Sequence, residues 1–200
     1  NSTSRTSVLN LSVTGDFNIQ AGATISVSGL GYSGGAGYQV SGNGPGGGRG
    51  NDSSSGSGGG HGGMGGLGRN ATLPGGAGYN SVTNPTDLGS GGGGAYFSVL
   101  GGRGGGAIIL NVGGNLFLNG LIAANGADGV GDPHGSGGGA GGTVNVTATA
   151  ISGTGVVRVN GGKGGGTASE PLSSTACCTN RSGVGSGGAA SSGDGTATAC

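Results

Sequence analysis

Three short passages of this chain repeat one strand-like pattern, and most of what separates them is glycine. The first begins Val8-Leu9-Asn10-Leu11-Ser12-Val13, continues through Phe17-Asn18-Ile19, and ends Ile25-Ser26-Val27-Ser28-Gly29. The second begins Ile108-Ile109-Leu110-Asn111-Val112, continues through Leu116-Phe117-Leu118, and ends Leu121-Ile122-Ala123-Ala124-Asn125-Gly126. The third holds Val144-Asn145-Val146-Thr147-Ala148, Ala150-Ile151 and Val156-Val157-Arg158-Val159-Asn160-Gly161. A unit this short cannot bury its own apolar face, so each copy must find its partner in another copy.

Strict alternation of apolar and polar residues argues for strands with one buried face. The alternation turns Leu9, Leu11, Val13, Phe17, Ile19, Ile25 and Val27 inward in the first copy. The equivalents are Ile108, Leu110, Val112, Leu116, Leu118, Ile122 and Ala124, then Val144, Val146, Ala148, Ile151, Val157 and Val159. Helix is disfavoured, because the windows lack an i, i+3, i+4 pattern and are rich in Thr, Val and Gly. Asn125-Gly126 and Asn160-Gly161 are expected to turn the chain with positive φ, and Ser28-Gly29 takes their place in the first copy. A repeat of about 20 residues with three faces matches one rung of a parallel β-solenoid. The sequence therefore predicts an all-β, parallel β-solenoid (β-helix) fold, a single unit over 1–200 with coils at about 7–29, 107–126 and 143–162.

Between the first two coils lies a glycine-rich insertion, 31–106, and after the third a Gly/Ser/Thr-rich tail, 163–200, that carries every cysteine. Glycine makes up 60 of the 200 residues, against roughly 7% in ordinary domains. Collagen is excluded, since there are only five Pro and no Gly-X-Y period. The run Gly59-Gly60-His61-Gly62-Gly63-Met64-Gly65-Gly66 suits extended, polyglycine-II-like segments; a flexible Gly/Ser loop is the alternative reading. Ala95-Tyr96-Phe97-Ser98-Val99-Leu100 reads as one more strand, and Tyr32, Tyr38 and Tyr79 as lids over the glycine segments.

Seven basic and seven acidic residues are scattered singly, leaving no basic patch for nucleic acid. No stretch approaches the length of a membrane span. Asn-X-Ser/Thr sequons stand at Asn1, Asn10, Asn51, Asn70, Asn145 and Asn180, whereas Asn84 is followed by Pro85 and drops out. Alignment of the copies puts Asn10 and Asn145 at the same outward position, with Ile109 between them. Cys177, Cys178 and Cys200 form an odd set, so the disulfide candidates are one of the adjacent pair with Cys200, and the other with a partner elsewhere. Sequons and cysteines together predict a secreted, extracellular or cell-surface chain carrying covalent N-glycans and needing no cofactor.

Chemistry is sparse. Asp128 and Asp132 lie near His134, but without the spacing of a calcium loop, so no metal site is predicted there. His61 and His134 have no triad partners in sequence, and the outward positions of the copies are mainly Asn, Ser and Thr. The chain is read as no enzyme.

Gly105-Gly106-Ala107-Ile108-Ile109-Leu110-Asn111-Val112 with Leu121-Ile122-Ala123-Ala124-Asn125-Gly126-Ala127-Asp128-Gly129, and Gly141-Gly142-Thr143-Val144-Asn145-Val146 with Val157-Arg158-Val159-Asn160-Gly161-Gly162-Lys163-Gly164, resemble the glycine-rich repeats of large secreted β-solenoid surface proteins and adhesins. The resemblance implies a structural protein, a stretch of a longer fibre. Its expected partners are copies of itself, joined end to end into a filament, and glycans. The alternatives are an ice-binding or glycan-binding module and, further off, a carbohydrate-active β-helix enzyme.

Overall fold

The computed structural model describes residues 3–6, 8–51, 55–68, 73–131, 134–165 and 189–190. No helix occurs among them. The strands are β1 (Leu9–Val13), β2 (Phe17–Ile19), β3 (Thr24–Ser26), β4 (Ala107–Val112), β5 (Asn115–Leu118), β6 (Leu121–Ala123), β7 (Thr143–Thr147), β8 (Ala150–Ser152), β9 (Val156–Arg158) and β10 (Ala189–Ala190). They pair in parallel as three short sheets, β1-β4-β7, β2-β5-β8 and β3-β6-β9, and β10 adds to the free edge of β7.

This corrects the expected β-solenoid. The described residues form three short parallel sheets, with neither a closed solenoid nor a regular succession of coils. The physical reason lies in the connections. After β3 the chain leaves for residues 27–106, and after β6 for residues 124–142, before it returns to a sheet. These glycine-rich connections build a hydrogen-bonded body of their own instead of continuing as rungs.

The sheets themselves follow the sequence pattern. Leu11 pairs with Leu110 and Leu110 with Val146; Phe17 pairs with Leu116 and Leu116 with Ile151; Ile25 pairs with Ile122 and Ile122 with Val157. These rows carry the apolar residues inward, because a side-chain period of two fixes which face every residue takes once one pair is set. The core cluster joins Ile108, Leu110, Val112, Leu116, Leu118, Ile122 and Ala124 with Ile19, Val27, Val144 and Val159. Leu9 and Ile151, expected inward, stay 41% and 48% exposed because each sits on an outer strand with no further strand beyond it among the described residues.

The glycine body works differently. Around segment 89–94, Gly92 N–H donates to the Gly102 carbonyl (2.9 Å), Gly93 to Ser57 (2.9 Å) and Gly94 to Val40 (3.0 Å). In return Gly48, Gly35 and Gly137 donate to the carbonyls of Gly91, Gly92 and Gly93. A strand in a sheet has two neighbours; this segment bonds to chain around residues 35, 40–48, 57, 102 and 137. Such crowding leaves no room for side chains. A Cβ on Gly92 would lie 2.1 Å from the Gly137 carbonyl oxygen.

Three buried serines complete the network where the backbone cannot. Ser57 Oγ accepts from Arg49 N–H and donates to the Pro74 carbonyl, both at 2.8 Å. Ser136 Oγ accepts from Val130 N–H (2.8 Å) and donates to the Leu100 carbonyl (2.6 Å). Ser90 Oγ accepts from Gly46 N–H (3.0 Å) and donates to Tyr79 Oη (2.9 Å).

Two further expectations fail. Asn125-Gly126 and Asn160-Gly161 do not adopt positive φ. Instead the parallel ladder runs on through them, Gly126 N–H donating to the Asn160 carbonyl and Asn125 Oδ1 accepting from Asn160 N–H (2.9 Å). Residues 95–100 are no strand: Ala95 and Val99 form an isolated antiparallel bridge around a tight turn with Phe97 and Ser98 at φ 58° and 61°.

The close packing predicts a sharp contrast between two Gly→Ala substitutions. Gly92→Ala is expected to destabilise by about 1–3 kcal/mol or more through overpacking. Gly63→Ala, whose Cβ would meet nothing within 4 Å, is expected to stay within about 0.5 kcal/mol of the parent. Urea unfolding midpoints of the two variants check this, and equal shifts would contradict the packing.

Candidate functional site

The outer face of the β1-β4-β7 sheet carries the sequon row. Asn10 pairs with Ile109, and Ile109 with Asn145, so the three lie side by side as the alignment of the copies anticipated. Their surroundings differ. Asn10 is exposed, while Asn145 is half-buried, its Nδ2 donating to Asn84 Oδ1 (2.8 Å) and to the Pro85 carbonyl (3.1 Å). Asn51 is half-buried, its N–H donating to the Gly94 carbonyl and its own carbonyl accepting from Gln39. Asn1, Asn70, Asn180, Cys177, Cys178 and Cys200 lie outside the described residues.

Asn84 and Pro85 belong to a strap, residues 79–88, that crosses from the glycine body to β7. Asn80 organises it. Asn80 takes φ 78°, a left-handed conformation that Asn tolerates better than most residues. Its Oδ1 accepts from Ser81 N–H (2.9 Å) and Thr86 N–H (3.2 Å), and its Nδ2 reaches His61 Nε2 (2.9 Å) and Thr143 Oγ1 (3.3 Å). Thr143 in turn donates to the Asp87 carbonyl (2.6 Å). Asp87 Oδ1 accepts from Leu88 N–H (2.8 Å) and Tyr32 Oη (3.2 Å) and faces Arg5 Nε at 3.8 Å, while Arg5 also donates to the Thr86 carbonyl. Tyr79 Oη donates to the Leu88 carbonyl.

Burial sets the titration of these groups. His61 is fully buried, and desolvation lowers its pKa to about 4, the nearby Asp87 charge opposing the shift. Desolvation likewise raises the Tyr79 and Tyr32 phenols, with the charge of Asp87 adding to both. Tyr32 and Tyr79 are thus lids with polar anchors. Tyr38, the third expected lid, is 51% exposed.

The described carboxylates do not converge. Asp16 Oδ1 accepts from Asn115 N–H (2.7 Å) and Asp128 Oδ1 from Lys163 N–H (2.7 Å), each tying one strand triplet to the next, whereas Asp87 serves the strap. Asp132 lies outside the described residues, and His134 turns to aromatic neighbours instead of Asp128. Its ring is 5.4 Å from Tyr96 and 6.1 Å from Phe97. Tyr38 and Tyr96, with centroids 5.5 Å apart, extend this cluster, and Phe97 is 68% exposed. No group of three or more metal-binding side chains occurs among the described residues. No threonine row exists in the sheets either: Thr24 pairs with Leu121, and Thr147 with Asn111.

Sequence reasoning missed the strap. Its partners are separated by 63 residues for Asn80 and Thr143 and by 81 for Arg5 and Thr86, and no short-range pattern links them. The turn-favouring Asn80-Ser81 and Asn84-Pro85 pairs were the local signals available, and the turn between them is closed by Asn84 N–H to Ser81 Oγ (3.0 Å).

No protein-family model, curated protein or solved structure matches the chain.

Tyr79→Phe removes the donor to the Leu88 carbonyl and the acceptor for buried Ser90 while keeping the ring. The expected cost is about 1–3 kcal/mol from unsatisfied buried polar groups. A lowered urea midpoint at unchanged m-value is the confirming measurement.

Proposed function

We propose that this chain is an extracellular structural glycoprotein, a segment of a surface filament or adhesin that assembles through the free edges of its parallel sheets. The observation that carries the reading is a gradient of burial across the strand triplets. In the middle triplet Leu110, Leu116 and Ile122 are at most 1% exposed. Their partners on the outer triplets, Leu11, Phe17 and Ile25 on one side and Val146 and Val157 on the other, are only half-buried, and Ile151 is exposed. Among the described residues β1, β2, β3, β8 and β9 pair on one side only, whereas the strands of the middle triplet pair on both.

The two ends are complementary in kind. Among the described residues β1, β2 and β3 form one set of edges and β8 and β9, with the stretch of β7 beyond β10, the other, and all the pairings between triplets are parallel. A second copy placed with its β2 and β3 against β8 and β9 continues the same ladders, a head-to-tail contact that grows into a filament rather than closing. β10 takes a place on β7 at Thr143 and Val144, and its parallel pairing supports the view that this edge accepts a further strand. Side-chain acceptors run the same way: Ser28 Oγ accepts from Asn125 N–H and Asn125 Oδ1 from Asn160 N–H, which leaves Asn160 at the position of the next acceptor.

In this reading the chain is secreted or displayed at a cell surface, catalyses nothing, and bears N-glycans, with Asn10 the best-placed described acceptor. No helix among the described residues is long and apolar enough to cross a membrane. The exposed Tyr38 and Phe97 rings, with half-buried Tyr96 between them, favour a second reading, a glycan-binding module, since stacking on a sugar needs accessible ring faces.

Sedimentation velocity with reductant present tests the assembly. The chain is expected to associate in a concentration-dependent way. Leu9→Lys or Ile151→Lys is expected to weaken association by at least about tenfold without changing the circular dichroism spectrum. A parent that stays monomeric at all concentrations removes the filament reading. Intact mass before and after glycosidase treatment reports whether the sequons are used.

A further inference from the structure

We infer that the strap, residues 79–88, is an acid-released latch over β7 whose trigger is protonation of the buried His61 ring. The inference stands apart from the filament reading and rests on hydrogen-bond geometry alone.

The orientation of Asn80 is determined by its partners. Its Oδ1 receives two backbone N–H groups, from Ser81 and Thr86, so the amide cannot turn over without aiming its NH2 at two donors. Nδ2 is therefore the atom that faces His61 Nε2 at 2.9 Å, and it donates. That makes Nε2 an acceptor and places the ring proton of neutral His61 on Nδ1. No acceptor meets the buried Nδ1 with good hydrogen-bond geometry, although the Gly141 and Gly142 backbone lies near enough to favour a charged ring. Thr143 Oγ1 has already given its hydrogen to the Asp87 carbonyl, so it accepts the other Nδ2 hydrogen.

A proton taken from solvent by Nε2 converts this arrangement into two donors face to face. Asn80 has no second orientation, so the contact opens, and with it go the bonds that Asn80 makes to Ser81, Thr86 and Thr143. Ties that remain include the Asn145 Nδ2 bonds to Asn84 and Pro85, the Thr143 bond to Asp87, and the burial of Leu88 beside Tyr32 and Ala107. Losing the Asn80 contacts weakens the strap's hold, and Thr143 and Asn145 are uncovered when these remaining bonds open in turn.

The groups around the ring set the pH window. Tyr79 meets it edge-on with centroids 4.9 Å apart, and its phenol stays neutral throughout. Among the described residues the Asp87 carboxylate favours the charged ring, as do the Gly141 and Gly142 backbone groups, but Arg5 and Tyr32 already occupy Asp87. The residues on the β7 side, Gly141, Gly142 and Thr143, carry no charge. Desolvation dominates, and the folded ring titrates at about 4 against 6.5 when exposed. The unfolded or released form therefore binds the proton more readily. The latch is fully closed above about pH 6.5 and loses its stabilisation as pH falls through that window toward 4.

Hydrogen-exchange protection factors of the 79–88 amides, followed from pH 7 to pH 3, provide the test. In the parent they are expected to fall about tenfold per pH unit between 6.5 and 4, the slope for uptake of one proton. In His61→Gln, which presents an acceptor but cannot gain a charge, they are expected to stay level over the same range. A parallel fall in His61→Gln, or a level profile in the parent, overturns the latch. If that variant does not fold, the ring 15N resonances of the parent decide. Nε2 is expected in its unprotonated form at pH 7, changing together with the strap amides. A His61 that titrates near 6.5 while the strap amides stay unchanged overturns the latch equally.

Discussion

Everything in this structure depends on backbone approaching backbone more closely than a Cβ permits. In the glycine body each extended segment exchanges hydrogen bonds with more neighbours than a sheet strand has, and the carbonyl of one chain occupies the place where another residue would carry its side chain. Burial there is burial of amides, which is favourable only when nearly every N–H and C=O finds a partner. The buried Ser57, Ser90 and Ser136 belong to the same logic, since each hydroxyl accepts from one amide that lacks a backbone partner and donates to another oxygen. A body of this kind contributes little apolar surface. The main apolar core is left to the three sheets, with Val27 and Ala124 at the junction, and a smaller cluster of Tyr32, Leu88 and Ala107 lies apart from it.

The alternation of apolar residues was enough to identify the strands, their inward faces and the row shared by Asn10, Ile109 and Asn145, because period-2 patterning is a local property of the chain. It did not reveal the architecture. A repeat of about 20 residues resembles a solenoid rung, yet what decides the fold here is the path between triplets, and glycine carries no directional signal about its neighbours. The Asn-Gly corners misled for a related reason: Asn125 is used for its side-chain acceptor, with Oδ1 bound to Asn160 N–H, and not for a left-handed turn. Of the three expected corners, Ser28-Gly29 alone turns with positive φ, at Gly29 (66°), while among non-glycine residues that conformation went to Gln39, Asn80, Phe97 and Ser98.

The strap shows the opposite limit. Its polar residues are unremarkable in sequence, and each is explained only by a partner far along the chain: Asn80 by His61 and Thr143, Asp87 by Tyr32 and Arg5, Asn145 by Asn84. A chain with so few titratable groups places its one fully buried histidine at the point where the glycine body, the strap and β7 meet. An asparagine with both amide faces committed is what makes that histidine consequential, since a flexible partner would turn over and absorb the proton's effect.

Two kinds of rigidity therefore meet along β7. On its inner face Val144 is locked into an apolar row whose register permits no slip without turning every side chain over. On its outer face Thr143 and Asn145 are held by directional polar bonds to the strap, and the Asn80 bond to Thr143 adjoins the titrating His61 ring. Apolar burial at the sheets does not respond to a proton, so opening the strap leaves the ladders intact. The molecule can thus alter what the β7 face presents without altering the edges through which β8 and β9 are proposed to meet another copy, because the two depend on different physical interactions.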